Sequence, residues 1–90
     1  MIIKINKDYR IRGSDHCWVV ERRKIHQEEG TEYWAGEGYF IQIETAMKYL
    51  VDKRVREISD SATAEEVKEA LQVIVQECSE ALRVFRELEQ

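Results

Sequence analysis

Few side chains in this chain have the chemistry to hold a metal or attack a carbonyl: His16 beside Cys17, His26, and Cys78 far downstream. Zinc takes thiolate and imidazole ligands, but these spacings match no finger, ribbon or protease pattern. Adjacent residues of a strand point to opposite faces, so His16 and Cys17 do not readily share one ion. No Ser/His/Asp or Cys/His arrangement stands out as a nucleophile with its base. Gly36-Glu37-Gly38 lacks the third glycine and the helix start of a phosphate-cradling loop. Glu28, Glu29, Glu32 and Glu37 form an acidic group, but acids at a hairpin tip are ordinarily solvated. The expectation is a chain that is not an enzyme and carries no metal and no cofactor.

The remaining chemistry is charge. Residues 1–27 hold seven Lys or Arg against three acids, and residues 42–90 hold seven against eleven. Strand alternation would put Lys4, Arg10, Arg12 and Arg23 on one solvent face, with Trp18 or Trp34 nearby to stack on a base. The competing reading is a solvated face with the aromatics in the core. The net charge of −4 disfavours a generic nucleic-acid binder, so nucleic-acid binding is the alternative. The second half carries Glu65, Glu66, Glu69, Glu77, Glu80 and Glu87, which could meet a basic partner surface or simply keep a helix soluble.

These residues must be positioned by local structure. Ile2 to Ile5 is a short β run, and Asn6-Lys7-Asp8 has turn chemistry. In Tyr9-Arg10-Ile11-Arg12 the alternation turns Tyr9 and Ile11 inward and both arginines outward. Gly13-Ser14-Asp15 is the next turn. Cys17 to Ile25, led by Trp18, Val19 and Val20, is the strongest strand. Glu28-Glu29-Gly30 closes a hairpin into a fourth strand, Glu32 to Ile41, where Gly36 and Gly38 suggest a bulge. Ile43 to Ile58 repeats apolar residues at helical spacing, with Lys53, Arg54 and Arg56 near the end that favours cations.

The stretch that dominates the chain is Thr63 to Leu88. Thr63-Ala64-Glu65-Glu66 is a capping box. Val67, Leu71, Ile74, Cys78, Ala81, Phe85 and Leu88 then recur at spacings of four and three, a heptad stripe widened by Ala70, Val75 and Leu82. Such a helix is roughly 38 Å long, against roughly 24 Å for the one before it. A globule of this size is only about 31 Å across. The C-terminal apolar residues, Cys78, Leu82, Phe85 and Leu88, are therefore expected to be covered by a second copy or another protein.

Ninety residues make one domain, 1–90, near the lower size limit for an unassisted core. There is no apolar run of membrane-spanning length and no signal peptide, which points to a cytoplasmic protein without membrane association. Cys17 and Cys78 are isolated, and two buried free thiols are expected rather than a disulfide. The fold expected is α+β: a three- to four-stranded antiparallel meander over 1–41, packed on two antiparallel helices over 43–58 and 63–88.

Ile2-Ile3-Lys4-Ile5-Asn6, Tyr9-Arg10-Ile11, Trp18-Val19-Val20-Glu21, and Trp34 with Gly38-Tyr39-Phe40 leading into Glu44-Thr45-Ala46-Met47 resemble a group of small uncharacterised phage and prophage proteins. Those share a β-meander, a Gly-Tyr-aromatic step into a helix, and a second helix. The resemblance spans nearly the whole chain and rests on structural residues, so it brings no catalytic ones. It implies a bacterial host cytoplasm and an accessory role, such as binding a host protein and antagonising a host defence; the long helix adds the expectation of a homodimer.

Overall fold

A computed structural model describes residues 1–89. Strands β1 (Ile2–Lys4), β2 (Tyr9–Gly13), β3 (Trp18–Ile25) and β4 (Glu32–Phe40) form one antiparallel sheet in the order β1-β2-β3-β4. Helices α1 (Ile43–Arg56) and α2 (Ala64–Glu89) follow. The chain is α+β, with all four strands in a meander.

The turns have local causes. Asn6 Oδ1 accepts from the amides of Asp8 and Tyr9, both at 2.8 Å, so the Asn side chain stands in for backbone and reverses the chain. The Ser14 hydroxyl donates to the Cys17 carbonyl and accepts from the Cys17 amide, closing the turn into β3. In the last hairpin Gly30 adopts φ 71°, a left-handed conformation that glycine takes without steric cost. The bulge also forms. Val20 pairs with Gly38 and Glu21 with Gly36, leaving Glu37 as the extra residue of β4.

Two compact units are distinguished along the chain, Met1–Ala46 and a second beginning at Met47; the boundary falls inside α1. In the first, the register aligns Ile3, Ile11 and Val20 across β1, β2 and β3. These residues, with Tyr9, are buried on one face of the sheet, as alternation requires.

In the second unit α2 runs unbroken for 26 residues. Its capping box is made: Thr63 Oγ1 accepts from the Glu66 amide at 3.2 Å, and the Glu66 carboxylate takes the Thr63 amide and hydroxyl. Residues 57–63 connect the two helices. A short turn would set the end of α1 beside the first turn of α2. Instead Arg54 Nη2 donates to Glu77 Oε1 at 3.1 Å, a point about 20 Å along α2 from Ala64 at the helical rise. Residues 57–63 let α2 begin well away from Arg54. The buried residues of α2 accordingly begin only at its eleventh residue: Ile74, Cys78, Ala81 and Phe85.

Candidate functional site

Lys4, Arg10, Arg12 and Arg23 do share one sheet face, because each sits at an outward step of its strand. Lys4, Arg10, Glu21 and Gly36 form one cross-strand row. Glu21 is the centre of the arrangement and only 6% exposed. Its two carboxylate oxygens accept from Arg10 Nε at 2.8 Å and Arg12 Nε at 3.2 Å. A buried carboxylate is tolerated only when charge and hydrogen bonds compensate for lost water, and two guanidinium groups do so here. The other side of the Arg10 guanidinium lies over Trp34, 4.3 Å from the ring centroid, a cation–π contact.

Arg23 is equally occupied. It donates to the Lys7 carbonyl, to Asp8 Oδ1 at 3.0 Å and to Glu32 Oε1 at 3.0 Å. The hydrogen bond to Asp8 is the main reason its guanidinium is held above the ordinary arginine value, with the Glu32 and Asp8 charges adding to it. Three of the four cations are thus already neutralised within the chain, and a phosphate would have to displace a carboxylate. Trp34 offers one ring face to Arg10, and Trp18 belongs to the opposite sheet face, in line with Gly13 and Phe40. Sequence alone placed the arginines but missed Glu21. The available signal was Val19-Val20-Glu21, where an acid follows two β-branched residues at the same outward parity as Arg23.

The four residues expected at an α2 interface differ in exposure. Cys78 and Phe85 are buried in the single chain, Phe85 to 5% exposure, so neither is available to a partner. Leu82 is half-buried, and Leu88 is 64% exposed. A partly covered apolar strip lies beside the buried stripe. Leu71 and Leu82 are half-buried and Val75 is 52% exposed; the three flank the buried stripe on one side. A shallow groove there is lined by Leu71, Gln72, Val75, Gln76 and Ser79, with no charged residue among them. The groove that continues it, lined by Ser79, Leu82, Arg83, Arg86 and Glu87, is charged. In the latter Arg83 bridges Glu80 and Glu87. The hydrogen bond to Arg83, ahead of its charge, holds the Glu80 carboxyl below the usual carboxylate range.

The remaining chemical residues lie apart. Both cysteines are free, Cys78 buried and Cys17 only half-buried beside the Ser14 hydroxyl. Burial pushes the Cys78 thiol above its ordinary value, against the opposing effect of nearby Arg54. His16 is exposed, and His26 stacks on Tyr33 with ring centroids 4.2 Å apart. Among the described residues no group of three or more His, Cys, Asp or Glu could hold a metal ion, and no helix is long and apolar enough to cross a membrane. No protein-family model, curated protein or solved structure matches this chain.

Proposed function

We propose that this chain is a non-enzymatic binding module that pairs with a second copy through α2 and, as a phage or prophage accessory protein, engages a host protein, with antagonism of a host defence as the role. The observation that supports the pairing is the apolar, uncharged strip of Leu71, Val75 and Leu82 with Gln72, Gln76 and Ser79. Two chains of net charge −4 repel each other over much of α2, where Glu65, Glu66, Glu69, Glu80 and Glu87 are exposed, but not along this strip. Completing the burial of its three apolar side chains would contribute up to about 1.5–3 kcal/mol for each. The host and defence elements rest on the resemblance to small phage proteins. Nucleic-acid binding by Lys4, Arg10, Arg12 and Arg23 is the weaker reading, because Glu21, Asp8 and Glu32 already hold three of those cations.

Sedimentation equilibrium at high micromolar concentration tests the pairing. The expected result is a dimer for the wild type and a monomer of unchanged helicity for Val75→Asp. A wild-type monomer under those conditions would overturn it.

A further inference from the structure

The sheet has two edges, and they are not alike. β1 is three residues long and carries Lys4, which are two of the devices that keep a sheet edge from recruiting another strand. β4 is nine residues long and has neither Lys nor Pro. Its bulge at Glu37 leaves a regular run from Glu32 to Gly36. None of its residues is buried.

The phase of the ladder fixes which main-chain groups this edge offers. In the hairpin before β4 the His26 amide donates to the Thr31 carbonyl at 2.9 Å. Hydrogen-bonded and non-hydrogen-bonded pairs alternate along an antiparallel ladder. The register continues with Ile25 opposite Glu32, Lys24 opposite Tyr33, Arg23 opposite Trp34 and Arg22 opposite Ala35. Tyr33 and Ala35 therefore turn their N–H and C=O groups to β3, and Glu32, Trp34 and Gly36 turn theirs to the open edge. Arg23 has the matching phase: opposite Trp34, it gives its amide to the Asp8 carbonyl on the β2 side at 2.8 Å. Gly36 is exposed, and since it has no side chain, that exposure is of main chain.

Charge selects no foreign strand here. Arg22, Arg23 and Lys24 run alongside β4, and Glu32 is held by Arg23. What the run does fit is itself. Glu32-Tyr33-Trp34-Ala35-Gly36 has large side chains up to its middle and small ones after it. A second copy turned antiparallel about Trp34 sets Gly36 beside Glu32, Ala35 beside Tyr33 and Trp34 beside Trp34. No glutamate then faces a glutamate. Glu32, Trp34 and Gly36 are also the residues with outward main-chain groups, so every pair of them across the two copies exchanges both hydrogen bonds.

We infer that β4 pairs antiparallel with β4 of a second copy about Trp34, joining two sheets into one. Arg10 takes one face of each Trp34 ring, and the cross-strand indole pair uses the other. The contact uses a different surface from α2 and does not depend on pairing there. Its few residues a side fall far short of the roughly 20–30 of a standard interface, so half-assembly is expected only at about 3 mM. A chain that pairs through both surfaces builds beyond a dimer at such concentrations.

The test uses the full chain carrying Val75→Asp, so that α2 does not contribute, from about 0.1 to about 5 mM. Amide hydrogen exchange followed by NMR reads each position. As concentration rises, exchange is expected to slow about twofold at Glu32, Trp34 and Gly36, while Tyr33 and Ala35 are protected by β3 throughout. Glu32→Pro removes an outward donor at the first residue of the strand, where the β3 ladder does not need it. That variant is expected to lose the concentration dependence at Trp34 and Gly36. Glu32→Gln, which drops the same charge but keeps the amide, is expected to retain it. Exchange at Trp34 and Gly36 that ignores concentration would overturn the proposal. So would equal slowing in Glu32→Pro, or slowing confined to α2. The two pairings stay distinguishable, since a wild-type monomer at high micromolar concentration bears on α2 alone and protection of β4 in Val75→Asp reads β4 alone.

Discussion

On the polar face of the sheet Arg10, Arg12 and Arg23 each have an acid of the same chain against them, and the acid at the centre is nearly inaccessible to water. Along α2 the reverse holds: Leu71, Val75 and Leu82 are left partly uncovered while Phe85, nearer the end of the helix, is buried. A surface that satisfies its own groups has little free energy left to offer a ligand. A surface that leaves apolar area in water retains a driving force for association. Counting outward-facing cations therefore overlooked their acid partners, and helix length alone did not separate the buried Cys78 and Phe85 from the exposed Leu88.

The comparison can be broken most severely at Phe85. Phe85→Ala should cost about 3–5 kcal/mol in urea unfolding, the usual range for emptying a buried aromatic site. Leu88→Ala, three residues on and exposed, should stay within about 0.5 kcal/mol. Equal losses would mean that the end of α2 is covered alike at both positions. Next in size is Glu21→Ala, which leaves Arg10 and Arg12 without their shared acceptor. A loss of about 2–3 kcal/mol is expected, less than for a fully buried pair because Arg12 retains contact with water. Glu21→Ala should also strengthen retention of a single-stranded oligonucleotide in a low-salt gel shift, since two cations are released to phosphate. Unchanged stability would remove Glu21 from the centre of that face.

The smallest effect concerns the thiols. At about pH 8 a maleimide should modify Cys17 in the native protein and reach Cys78 only as the chain unfolds. The folded value of Cys78 lies above its unfolded value because burial disfavours the thiolate. The neutral thiol's contribution to stability is therefore complete below the unfolded value and is lost as pH rises through the folded one. Glu80 has the opposite sign. Its carboxyl is depressed by Arg83, so its contribution is present above the unfolded carboxylate value and fades as pH falls through the folded one.

The amino-acid sequence by itself determined the features that arise over a few residues. Alternation put Tyr9 and Ile11 inside and Arg10 and Arg12 outside, because a strand turns successive side chains to opposite faces. Asn6, Gly30 and the Thr63–Glu66 box act through hydrogen bonds or torsions within four residues, so they are legible in the sequence. Gly36 and Gly38 marked the bulge for the same reason. Only the tertiary structure decided which acid meets which arginine, since Arg10 and Glu21 are brought opposite each other by the register of two strands. It also decided which stretch of α2 is buried. The heptad stripe runs evenly through Val67, Leu71, Ile74, Cys78, Ala81 and Phe85, and nothing in its period says where cover begins. That depends on the path of residues 57–63, which places Arg54 beside Glu77. Periodicity specifies a face, while burial depends on what the rest of the chain brings to it.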